Sequence, residues 1–151
     1  MWSLFSLAFL ITGVVATSAE TIAAFASYHE DKQFLFELDR VQMESTPSWD
    51  ENQQNPPISA RHAFNAARKR LATLVSMSEK WDLIEIVLRP MPAPTVGKWI
   101  YVVKFRPPVF SKDPKGSVST VDLIVLMDGI ALQPTIAPVK KANAAPDVPP
   151  F

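Results

Sequence analysis

Residues 97–105 read Gly-Lys-Trp-Ile-Tyr-Val-Val-Lys-Phe, and this stretch decides the fold class. Successive side chains of a strand point to opposite faces, so Trp99, Tyr101, Val103 and Phe105 share one side. Lys98, Lys104 and Arg106 flank Ile100 and Val102 on the other. A continuous apolar face needs a cover, and the candidate lies upstream. Across residues 59–75, Ala60, Ala63, Phe64, Ala67, Leu71, Leu74 and Val75 follow the 3.6-residue helical period. Arg61, His62, Asn65, Arg68 and Lys69 take the opposite face. Pro56-Pro57 halts any earlier element, and Ser59 is placed to cap the free N–H groups of the first turn. The alanines allow close approach to a sheet.

Outward from this pair the period is two. Residues 81–88 put Ile84, Ile86 and Leu88 on one face and Glu85 on the other. Residues 120–127 form a third strand. Asp128-Gly129 suits a tight two-residue hairpin, which predicts that residues 130–136 return as a short strand. Upstream, Phe34, Phe36 and Leu38 alternate like a strand, while Phe34, Leu35, Leu38 and Val41 also fit a helix; the strand is the preferred reading over residues 33–44, with residues 29–32 as a turn and residues 21–28 unassigned. The expectation is an α+β fold: one amphipathic helix packed on a curled antiparallel sheet of about four strands.

The organisation follows from composition. Residues 1–19 carry no charged side chain; the apolar run from Leu4 to Val15 is broken only by Ser6, Thr12 and Gly13, and small residues come after it. This pattern predicts a secretory signal peptide cleaved after Ala16 or Ala19. The alternative is an N-terminal membrane anchor, for which the stretch is barely long enough. Either places the rest of the chain outside the cytoplasm, secreted or periplasmic. Residues 20–55 form an N-terminal extension with strand character and a polar loop, residues 56–136 the α+β domain, and residues 137–151 a disordered Pro/Ala-rich tail.

The 151 residues are 48 % hydrophobic and carry 15 Lys+Arg against 15 Asp+Glu. The neutral balance lacks the positive footprint of a nucleic-acid binder. With no cysteine, thiol catalysis, zinc-thiolate sites, iron–sulfur clusters and disulfides are excluded. His29 and His62 are the only histidines, and neither stands near a nucleophile motif; both read as solvated. His29, Glu30 and Asp31 are consecutive and cannot converge on one ion. Asp122 reads as an exposed strand position and Asp128 as a turn residue. Asp82 with Glu85, and Asp50 with Glu51, read as surface charges rather than as a hydrolytic pair. Arg68-Lys69-Arg70 reads as a solvated helix end, and Lys140-Lys141 likewise as solvated charge. Trp99, Tyr101 and Phe105 read as core. Trp49, in a polar loop, is either a partner anchor or a lid folded back on the domain. No catalytic, cofactor-binding or metal-ligating residue is assigned, and the partner-binding residues are unknown.

Several of these pieces recur together in one family. Pro-Pro-Ile-Ser-Ala at residues 56–60, the Ala-rich helix, Trp81, the strand at residues 97–105 and Val-Asp-Leu-Ile-Val-Leu-Met-Asp-Gly at residues 121–129 resemble a PepSY domain. The resemblance covers residues 56–135; residues 20–55 lie outside it. It implies a small cystatin-like α+β module of a secreted or cell-surface bacterial protein, with a role in binding or inhibiting peptidases. The expected function is therefore non-enzymatic: a binding module without cofactor that recognises a peptide or protein partner, with no nucleic acid, and membrane contact only through a retained N-terminal segment. The alternative is a structural or accessory subunit of a larger cell-envelope assembly.

Overall fold

The computed structural model describes residues 20–50, 52–93, 95–108 and 120–139. The expected signal segment at residues 1–19 lies outside them, as does the chain beyond Val139. The elements run β1 (Thr21–His29), β2 (Lys32–Asp39), α1 (Arg40–Ser45), α2 (Ala60–Leu74), β3 (Asp82–Pro90), β4 (Trp99–Arg106), β5 (Val121–Leu126) and β6 (Thr135–Pro138), with a 3-10 turn at Ser78–Lys80. The fold is α+β. It is built on two antiparallel sheets of three strands, ordered β1-β2-β6 and β3-β4-β5, rather than the single sheet of about four strands expected above.

Helix α2 forms where its periodicity places it. The Ser59 hydroxyl accepts the N–H of His62 at 3.2 Å, and Ala63, Ala67 and Leu71 are buried. The helix packs on β4 and β5. Phe64 meets Phe105 with ring centroids 6.1 Å apart, and the Tyr101 hydroxyl donates to the Ile58 carbonyl at 3.1 Å. The second face of β4 and β5 is buried as well, through Ile100, Val102, Ile124 and Leu126.

Two expectations for the flanking chain are corrected. The strand predicted over residues 33–44 stops at Asp39. That carboxylate accepts the N–H of Gln42 at 2.7 Å while the Gln42 amide oxygen accepts the N–H of Asp39, a capping box that opens α1. Residues 130–136 do not return as one strand. The N–H of Leu126 donates to the Ile130 carbonyl and that of Leu132 to the Ile124 carbonyl. The chain then leaves β5, and Thr135–Pro138 pairs with β2 instead. Residues 21–28, unassigned in sequence, pair with β2 along their length, with the turn confined to Glu30 and Asp31.

The two sheets meet where β1 runs beside β5. Ser27, 6 % exposed, spans this seam: its hydroxyl accepts the N–H of Asp122 at 2.9 Å and lies 3.4 Å from the Asp122 carbonyl as a donor. Removing it leaves a part-buried backbone N–H without its acceptor, at a cost of about 1–3 kcal/mol. We therefore expect Ser27→Ala to lower unfolding stability by that amount, read as a lower denaturant midpoint with an unchanged m-value; a midpoint within error of the parent would refute the role given to this hydroxyl.

Candidate functional site

The end of α2 has no glycine to terminate it. Leu74 is followed by the extended cap Val75, and the reversal falls on Met77, whose φ is 51°. Arg68 holds the 3-10 turn that comes next. Its Nη1 donates to the carbonyls of Ser78 at 2.9 Å and Trp81 at 2.8 Å, while the guanidinium lies 4.6 Å from the Phe105 ring centroid and 5.2 Å from that of Phe64. A planar, always-charged fork suits this stacking and double donation. Arg70 similarly donates to the Ala131 carbonyl at 3.1 Å. These two arginines are therefore half-buried pins rather than a solvated helix end; Lys69 alone of the three is exposed.

By fixing the 3-10 turn, Arg68 positions Trp81, and Trp81 stands at a cleft of about 380 Å³. Its apolar lining comes from Phe34 of β2, Leu74 and Val75 at the end of α2, Trp81, and Pro107 and Pro108 beyond β4. Its polar groups are His29, Glu30, Lys32 and Ser76. Met77 completes the rim and is 55 % exposed. Glu30, in the β1–β2 turn, has φ 55°. Among the described residues, Glu30 and Met77 are the non-glycine residues with positive φ, and both line this cleft. Left-handed backbone at a non-glycine residue costs of order 1–3 kcal/mol and concentrates at binding sites and clamps. The two strained turns thus mark the cleft independently of its shape.

His29 departs from the solvated reading. It is 8 % exposed at the end of β1, and its ring meets Trp81 edge-on at 4.8 Å. Burial pushes its pKa below the usual histidine value; Glu30, with Oε1 3.7 Å from His29 Nε2, opposes this, and Lys32 adds to it. His62 is exposed, as expected, on the outer face of α2. Its ring lies against Gly129, whose φ of 87° is the positive value that Asp128-Gly129 implies, and a Cβ there would sit 2.7 Å from His62 Nε2.

The other residues weighed in sequence fall in separate places. Trp49 is the lid: its ring meets Trp99 edge-on at 4.9 Å, its carbonyl accepts the Trp99 indole N–H, and its own backbone N–H donates to the Gly97 carbonyl. Tyr101 and Phe105 are buried and Trp99 is half-buried against the core. Asp82 pairs with Arg106 and Glu85 with Lys104, as partly exposed ion pairs. Asp122 is half-buried, not exposed, and burial raises its pKa. Asp128 accepts the Ile130 N–H within its turn. Asp50 accepts the Asn52 N–H and side-chain amide, which lower its pKa; Glu51 lies outside the described residues, as do Lys140 and Lys141. Among the described residues, no group of three or more His, Asp or Glu is placed to hold a metal ion.

The chain matches no protein-family model, no curated protein and no solved structure.

The buried His29 makes stability depend on pH. The native histidine takes a proton less readily than the unfolded chain, where histidine titrates near 6.5. Below that pH the unfolded state binds more protons, so stability falls as pH drops, until the native histidine itself titrates. The loss is at most about 1.4 kcal/mol per pH unit. Unfolding titrations between neutral and mildly acidic pH should show this decline, and His29→Phe should flatten it; an unchanged slope in the variant would assign the effect elsewhere.

Proposed function

We propose that this chain is a non-enzymatic binding module, secreted or periplasmic, that takes an apolar side chain of a peptide or protein partner into the cleft between α2, β2 and Trp81. The observation that carries the reading is the cleft itself. It offers apolar walls, including an aromatic and two prolines, beneath a rim where Glu30 and Lys32 supply both signs of charge. Concave, mainly apolar sites with a few polar groups are the usual form of a specific binding pocket. Its two strained turns are held by β1–β2 pairing and by Arg68, which pre-organises the rim and reduces the entropy lost on binding.

The PepSY-like reading of residues 56–135 belongs to this proposal. It is supported by α2 lying on the β3-β4-β5 sheet with Tyr101 and Phe105 turned toward it. A peptidase is then the partner class to test first. Export rests on residues 1–19. Among the described residues no helix is long and apolar enough to cross a membrane.

The test is selection of peptides from a random extended library on the full chain, followed by Met77→Glu. Met77 is exposed, so the substitution spares the core while putting a charge on the cleft rim. Selected peptides should share an apolar or aromatic anchor and bind Met77→Glu at least about tenfold more weakly. Failure to select any peptide, or selected peptides indifferent to Met77→Glu, would overturn the reading.

A second measurement addresses export. The intact mass of the protein from its native host should correspond to a chain starting at Thr17 or Glu20 in a soluble fraction. A chain retaining Met1 and staying with the membrane would instead favour the envelope-assembly subunit.

A further inference from the structure

Among the described residues two nine-residue strands stand at sheet edges, β1 and β3; β1 runs beside β5 across the seam, and β3 has no such neighbour. The outer edge of β5 is taken by Ser27 and residues 130–132. The free edge of β6 is four residues long and ends in Pro138. Strand β3 pairs on one side only, with β4. It is also unusually apolar for an exposed strand: Leu83 and Ile84 are 40 % and 43 % exposed, and Ile86, Val87 and Leu88 are only half-buried. Open, apolar edges are templates for another strand unless something blunts them.

Two features blunt β3, and they do so symmetrically. A bulge between Leu83 and Glu85 puts Ile84 out of register, and Pro90, which has no N–H, ends the strand. Ile84 and Pro90 stand equally far from Val87 along the chain. Between them is Glu85-Ile-Val-Leu-Arg89, a sequence that is complementary to its own reverse.

We propose that the partner of this edge is the β3 edge of a second copy of the same chain, paired antiparallel about a two-fold axis at Val87. In that register Val87 faces Val87 of the second copy, Ile86 faces Leu88, and Glu85 faces Arg89, twice over by symmetry. Ile84 falls opposite Pro90, so the two breakers meet and confine pairing to the residues between them. Ile86 and Leu88 share the sheet face of Val103 and Tyr101 and already pack against the core, so the pairing extends that core. Glu85, Val87 and Arg89 share the other face. Charge complementarity selects this occupant. Arg89 is exposed and takes part in no ion pair with another described residue, while Glu85, bound on one side to Lys104, presents its carboxylate on the same face. The contact is small, which makes the dimer a reversible one. It lies on the opposite edge of the sheet from the β1–β5 seam and does not depend on the peptide-binding reading of the cleft.

The test is sedimentation velocity of the full chain over a range of concentrations. The parent should move reversibly from monomer to a species of twice its mass. Arg89→Glu and Glu85→Arg should each raise the dissociation constant about tenfold or more, because two facing pairs of opposite charge become pairs of like charge. Glu85→Arg combined with Arg89→Glu should restore the dimer. An equimolar mixture of the two single variants should form a heterodimer, since the edge of one is then acidic at both ends and that of the other basic at both ends. A fold weakened by losing the Glu85–Lys104 pair could not produce that result. A chain that stays monomeric at every concentration, a dimer indifferent to both charge reversals, or open-ended association would each overturn the proposal.

Discussion

A buried backbone N–H or C=O without a partner costs about as much as a lost hydrogen bond. Strand β5 is buried on both faces, with Leu123 and Val125 on one side and Ile124 and Leu126 on the other. Its inner edge is paired with β4; its outer edge has to be completed by something else. Two different segments share that task. Residues 130–132 complete the half near the Asp128-Gly129 turn, and Ser27 completes the half near Asp122. Because the return segment covers only half of β5, the chain is released to continue as β6 on β2. Because Ser27 covers the other half, β1 is drawn alongside. Residues 20–39 thereby become the second sheet, and the burial of Phe34, Phe36 and Leu38 follows from it.

The cleft is a product of the same arrangement. Lining groups from β1, β2, α2 and the chain after β4 meet only because the two sheets are joined. Its rim is shaped by turns that a glycine would make more easily. Glu30 and Met77 hold left-handed backbone instead, under constraint from the β1–β2 ladder on one side and the Arg68 donations on the other. Arg68 therefore serves both ends of the architecture: stacked on Phe105 it belongs to the core, and bound to the Trp81 carbonyl it sets one wall of the cleft.

Much of the helix-on-sheet half was legible from residues 59–75 and 97–105, since each carries a strong period and each buries its apolar face against the other. The Asp128-Gly129 turn was legible for a local reason, a positive φ that glycine accepts. Residues 33–44 were only half legible. Alternation at Phe34, Phe36 and Leu38 marks the strand, but its end at the Asp39–Gln42 capping box was not read from the sequence, because the apolar pattern runs on through Val41 and Met43. The cleft left almost no trace in sequence. His29 stands in a run of charged residues and reads as solvated, although its strand turns it onto Trp81. Met77 looks like an ordinary apolar residue, and nothing in the sequence signals its φ.

Residue order alone was therefore enough to place α2, the extended segments around β3, β4 and β5, the turn at Asp128-Gly129, and the absence of thiol chemistry. These are local properties: periodicity, capping and composition act over a few residues. The division into two sheets, the departure of β6 from β5 to β2, the pinning by Arg68 and Arg70, and the burial of His29 beside a cleft came from the assembled chain. Each of those depends on pairing between segments far apart in the sequence, Ser27 with Asp122 above all. A lone serine carries no sequence signal of the strand edge whose hydrogen bonds it will complete.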